Sequence, residues 1–199
     1  GTSALGGVIN IITQAPTEQG RTLARIIAGE YDDPRYTEWH WTPMPLQFGR
    51  VDVSHSRRIG PLGYRFSLGR HISTGYTEVG DFQRWNATGK LSWQFANGSH
   101  WMLYTAYNVS KGGIYVGWDD PQKPFNVLPA NRNSRGTIEM ATVYSKLNWV
   151  LSPKALLQFR VSYLMSLMGN QFVTSTDFNP ARGLGSEIQA NWLPWSDLD

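Results

Sequence analysis

Residues 85–95 read WNATGKLSWQF, and their alternation decides the fold. Trp85, Ala87, Gly89, Leu91, Trp93 and Phe95 fall on one side, with Asn86, Thr88, Lys90, Ser92 and Gln94 on the other. A repeat of two lines one face of a strand, whereas a repeat of 3.6 would scatter these residues around a helix. Asn97 and Gly98 follow and predict a two-residue hairpin turn.

The same pattern extends in both directions. Residues 21–30 set Ala24, Ile26 and Ala28 against Arg25 and Ile27, and residues 49–58 set Val51 and Val53 against Arg50, Asp52 and Ser54. In 64–71, Tyr64, Phe66 and Leu68 alternate with Arg65, Ser67 and Gly69. In 100–110, Trp101, Leu103, Thr105, Tyr107 and Val109 share one face; Met102, Tyr104, Ala106 and Asn108 make the other unusually apolar. Strands at 137–150, 155–168 and 184–193 complete a set of eight, with Lys146, Arg160 and Glu187 on the polar side. Each segment approaches the roughly 9–11 residues with which a tilted strand crosses a bilayer.

The connections alternate in length. Residues 59–63, 96–99 and 151–154 are short turns, and 194–199 read as another. Residues 31–48, 72–83, 111–136 and 169–183 are long and carry prolines, glycines and rings, with a strand extension expected near 36–41. A soluble sandwich has no reason to gather short turns at one end and long loops at the other, whereas an outer-membrane barrel does so. Tyr64, Trp93, Phe95, Trp101, Trp149 and Trp192 all lie beside short turns, where amphipathic rings would mark a membrane interface.

Composition limits the alternatives. Among 199 residues there is no cysteine, so disulfides and thiolate metal sites are excluded; aromatics make up 13% and charged residues only 17%. The net charge of +3 is too mild to argue nucleic-acid binding, and the arginines do not form a run. Mean hydropathy is negative, as expected where strands hide apolar residues at every second position. His40, His55, His71 and His100 fall in separate segments without metal-site spacing, and neither a nucleophile elbow nor a phosphate loop is present. We therefore expect no catalytic step, no resident metal and no cofactor.

Residues 1–16, GTSALGGVINIITQAP, complete the reading. A small-residue start, the glycine pair Gly6 and Gly7, the strand Val8, Ile9, Asn10, Ile11 and Ile12, then Thr13 and a proline stop are in the order that closes the plug domain of TonB-dependent outer-membrane receptors. The chain resembles that family. The resemblance implies the end of a plug at 1–16, a hinge at 17–20 and, over 21–199, about eight strands of an all-β transmembrane antiparallel barrel of ~22. It implies a fragment whose leader, coupling box and remaining plug lie upstream. It also implies a place in the outer membrane of a Gram-negative bacterium, lipid around the barrel, and energy for import supplied by the TonB complex.

In such a receptor the polar faces line the lumen. Arg25, Arg50, Arg65, Lys90, Lys146 and Arg160 then point inward, with Asp52 and Glu187 as partial counter-charges. The loops offer Tyr36, Trp39, Trp41, Tyr76, Tyr115 and Trp118 with Arg132 and Arg135 as candidate ligand-binding residues; Arg35, Phe82, Phe125 and Arg182 extend the set. Rings mixed with guanidinium groups suit a planar, anionic small molecule such as a ferric siderophore. Cobalamin, haem or a glycan remain open within the family. A secreted β-sandwich carbohydrate-binding protein and a passive porin are the alternatives outside it.

Overall fold

The computed structural model describes residues 15–172 and 175–193; the glycine-pair strand from Gly6 to Ile12 lies outside them. The described chain is all-β. One eight-stranded antiparallel sheet runs in chain order: β1 (Arg21–Glu30), β2 (Gln47–Ile59), β3 (Leu62–Ser73), β4 (Phe82–Gln94), β5 (His100–Gly113), β8 (Arg135–Ser152), β9 (Ala155–Gln171) and β10 (Thr176–Trp192). Between β5 and β8 the chain makes a separate small hairpin, β6 (Trp118–Asp120) and β7 (Lys123–Val127), that the sequence did not suggest. No helix among the described residues is long and apolar enough to cross a membrane.

Pairing sorts the side chains. Following one row across the sheet, Ala24 opposes Val53, then Leu68, Ala87, Tyr107, Ala141, Met165 and Arg182. Because neighbours two apart share a face, Ile26, Val51, Phe66, Leu91, Val143, Val161 and Leu184 stand on that same surface. The opposite surface carries Arg25, Arg50, Arg65, Lys90, Lys146 and Arg160, together with Asp52 and Glu187, as the alternation predicts. It is not uniformly polar: Ile138, Met140, Leu164 and Met168 form an apolar island on β8 and β9.

Two carboxylates offset part of this charge. Arg50 reaches Asp52 at 2.7 Å, and Arg160 holds both oxygens of Glu187 at 2.9 and 3.2 Å. These pairs are solvent-exposed and contribute little stability, at most about 1 kcal/mol each. Among the described residues nothing packs on the apolar surface, and the only buried large hydrophobic side chains are Val79, in a loop, and Val127, at the end of β7.

Several expectations need correction. The fourth long connection is not a loop: β9 and β10 pair from Gln171 opposite Thr176 onwards, so 169–183 is mostly strand. Arg182 therefore sits in mid-strand on the apolar face. Residues 36–41 do not extend a strand but contain a 3-10 turn, Thr37–Trp39. The turn after β4 is wider than Asn97-Gly98 alone. The Gly98 N–H donates to the Phe95 carbonyl at 3.1 Å and the Ser99 N–H to Asn97 Oδ1 at 3.0 Å. Gly98 takes φ +82 while Asn97 keeps a negative φ, which gives an ordinary turn followed by a glycine bulge.

The segment before β1 crosses onto the polar surface. Pro16 is buried against Gly63, where an added Cβ would come within 3.0 Å of the proline ring. The Thr17 hydroxyl lies 2.8 Å from Ser56 Oγ, and Arg58 reaches Glu18 at 3.2 Å.

The register can be tested directly because the chain has no cysteine of its own. The double variant Ala87→Cys with Tyr107→Cys, on paired positions, should cross-link under mild oxidation. Ala87→Cys with Ala106→Cys should not, since those side chains lie on opposite faces; non-reducing gel mobility distinguishes the two.

Candidate functional site

Three loops meet beyond one end of the sheet: 31–46 after β1, 74–81 after β3, and 114–134 between β5 and β8. Their contacts form a chain of rings. Tyr36 meets Trp39 at 4.6 Å between centroids, Trp39 meets Phe125 at 5.5 Å, Phe125 meets Tyr76 at 4.9 Å, and Tyr76 meets Tyr31 at 5.8 Å. Tyr31 continues to Phe48 at the top of β2 and bonds Ser73 Oγ through its hydroxyl at 2.9 Å. Trp41 joins differently, its indole N–H donating to the Tyr76 carbonyl at 3.0 Å. Ring pairs of this kind contribute about 0.5–1.5 kcal/mol beyond the area they bury.

Polar ties fix two of these loops, 74–81 and 114–134, to each other. The Val127 N–H donates to Glu78 Oε2 at 2.9 Å, and the Glu78 N–H donates to the Phe125 carbonyl at 2.8 Å. Glu78 also pairs with Arg132 at 2.7 Å, and Arg135 pairs with Asp81 at 2.5 Å. One short loop thus supplies the carboxylates for both candidate arginines. Val79, between those carboxylates, is buried and held at φ +60, a conformation costly for a β-branched residue. It packs over Gly113, whose N–H donates to the Asp81 carbonyl at 2.9 Å.

Of the eight candidate residues, Tyr36, Trp39, Trp41 and Tyr76 come together, with Phe125, in one cluster. Arg132 and Arg135 reach its base but are neutralised there, which sequence reasoning missed because Glu78 and Asp81 lie far away along the chain. Tyr115 and Trp118 belong to the excursion that carries the small hairpin. The Tyr115 hydroxyl donates to the Pro124 carbonyl, and desolvation raises its phenol above the ordinary range. Trp118 is 57% exposed and Tyr36 47%. Arg35 lies over the Tyr36 ring at 5.6 Å, an exposed cation beside an exposed ring. Phe82 and Arg182 are strand residues outside the cluster.

Below the loops, the polar face of β2 to β4 forms a groove of about 400 Å³ lined by Arg50, Asp52, Arg65, His71, Arg84 and Asn86. Rings above and cations below suit binding of a flat anion. Among the described residues no three histidine or carboxylate side chains are grouped to hold a metal ion.

Glu78→Gln should loosen the cluster without removing a ring. Loss of a charge-assisted bond costs about 1.5–3 kcal/mol when well formed; part of that survives in the amide, so the Val127 N–H should exchange with deuterium roughly tenfold faster. Unchanged protection at Val127 would mean the rings alone hold the loops together. Comparison with protein-family models, with curated proteins and with solved structures gives no match, so the function of this site has to be argued from its own geometry.

Proposed function

We propose that this chain is part of a TonB-dependent outer-membrane receptor, comprising the end of the plug and the first strands of a transmembrane barrel. It binds a scarce small molecule at its loops for import into the periplasm. The observation that carries the membrane reading is the unpartnered apolar face. Burying one large apolar side chain is worth roughly 1.5–3 kcal/mol, so ten of them account for roughly 15–30 kcal/mol. That exceeds the roughly 5–15 kcal/mol net stability of a domain. A single sheet with this face in water is untenable, and hydrocarbon is a solvent that suits it.

The short-turn edge gives independent support. Ile59 opposes Leu62, then Trp93, Trp101, Leu147, Phe159 and Ile188. Relative to that row, β1 starts three residues higher at Arg21, opposite Ser56, whereas Ala155 and Trp192 lie four lower. The stagger is roughly 23 Å across a sheet roughly 34 Å wide, and it lies at this edge alone, because the strands lengthen from β1 to β10 and end level at the loops. Measured from this sloping edge, Tyr64, Trp93, Trp101, Trp149 and Trp192 stay close to the strand ends, as a girdle requires. Pro16 and Thr17 lie against the polar face near this edge, the side on which a plug would continue.

For the ligand, exposed Tyr36, Trp118 and Arg35 with the cationic groove below support an anionic ring-bearing complex, and we favour a ferric siderophore. Import by the same route would draw energy through the plug and the TonB complex, with no chemical step on the ligand.

Two experiments test this. A cysteine at Leu91 should react with a lipid-soluble thiol reagent in membranes and one at Lys90 should not; equal labelling would sink the lipid-facing assignment. Trp118→Ala should weaken binding of a ferric tris-catecholate about tenfold in equilibrium titrations, in line with one lost stacking and cation–π contact, while Trp149→Ala should not. An unaltered affinity in Trp118→Ala would remove the loop hairpin from the site.

A further inference from the structure

The apolar face carries few charges, and one of them is Arg70 on β3. Its guanidinium lies 5.0 Å over the Trp85 ring, and among the described residues it makes no ion pair. Glu139, in the same row, is three strands away, roughly 14 Å at ordinary strand spacing, and accepts a hydrogen bond from the Tyr107 hydroxyl at 2.8 Å.

Arg70 also lines an apolar groove of about 470 Å³ formed with Ile26, Val51, Val53, Leu68 and Ile72. The groove exists because Ala28 and Gly49 stand where β1 and β2 would otherwise present larger side chains. A cation at the rim of an apolar groove needs a counter-charge, and the planar guanidinium fork matches a phosphate with two parallel hydrogen bonds. Stacking on Trp85 holds the fork in place. One pleat nearer the loops on the same face, Lys111 on β5 adds positive charge.

We propose that this groove is a lipid-binding site, taking one acyl chain along Val51, Val53 and Leu68 and the phosphate headgroup of the same lipid on Arg70. The site rests on the lipid-facing reading of this surface. Charge complementarity selects the occupant: a free phosphate would leave the groove empty, and an uncharged or zwitterionic lipid would leave Arg70 without a net counter-charge.

The test uses a single fluorophore on an Ala87→Cys variant, beside the groove on the strand paired with Leu68, reconstituted in vesicles of zwitterionic phosphatidylcholine. Lipids with brominated acyl chains, which quench on contact, are added as a minor component with either a phosphatidylglycerol or a phosphatidylcholine headgroup. We expect the anionic lipid to quench at about a fivefold lower mole fraction. That preference should vanish in Ala87→Cys with Arg70→Gln, persist in part with Arg70→Lys, and persist fully with Arg182→Gln, a cation elsewhere on the face. Quenching by the zwitterionic lipid in the Arg70→Gln protein verifies that it is still inserted. Equal quenching by both headgroups, or a preference that survives Arg70→Gln, overturns the site alone. Absence of quenching by either lipid overturns the lipid-facing reading together with the site.

Discussion

A continuous antiparallel ladder governs this molecule. From β1 to β10 the main sheet has one irregularity, between Val150 and Ser152, where β8 turns into β9. An unbroken ladder leaves each side chain no choice of surface, because a period of two assigns it by register alone. The sequence uses this by putting Val, Leu, Phe and Trp at one parity and Arg, Lys, Ser and Asn at the other. Backbone bonds thereby create two surfaces that need different surroundings. Neither the exposed ion pairs nor the small loop core is large enough to replace what the apolar surface lacks.

The ladder also sets where recognition can occur. Strands that end level at one edge bring the connections after β1, β3 and β5 side by side. Only there do side chains find enough neighbours to bury Val79 and Val127. The loop after β3 is the organiser: Glu78 and Asp81 hold two arginines, Tyr76 takes part in two ring contacts, and its carbonyl accepts from Trp41. Its strained Val79 is tolerated because the surroundings over-determine it. Tyr36 at the end of the ring chain, Arg35 over it and Trp118 on the small hairpin face solvent, which on the proposed reading leaves them free to meet a ligand.

Legibility in the sequence followed the range of the interactions involved. The alternation at 85–95 was readable because a strand's face is a local property, and β1 was bounded correctly for the same reason. β10 was half missed because Asp177, Asn179, Pro180 and Gly183 are turn formers by local preference; pairing with β9 along its whole length overrides them. Arg132 and Arg135 looked free because their carboxylates are supplied from another loop, Asp81 lying 54 residues from Arg135. The Asn97-Gly98 turn was located but misassigned, since Asn97 Oδ1 caps Ser99 and so favours a wider turn. Individual rings were visible, but which of them touch depended on three loops meeting.

The remaining question of size can be argued from charge. Among the described residues β1 and β10 each leave one edge unpaired, and an open edge is intolerable in hydrocarbon. On the proposed reading, the sheet must therefore either close on itself or be continued by further strands. An eight-stranded barrel has an interior just wide enough to be filled by its own side chains. Closure at eight would press Arg25, Arg50, Arg65, Arg84, Lys90, Lys146 and Arg160 into that space, where Asp52 and Glu187 pair with Arg50 and Arg160, and Glu18 with Arg58 on the same face. Taking ions into a dry interior costs several kcal/mol each, far more than exposed pairs return. A wider barrel keeps these cations in contact with water and leaves room for a polar domain inside. On the proposed reading, the charge on this face thus argues for more strands than eight, independently of the residues that first suggested the family.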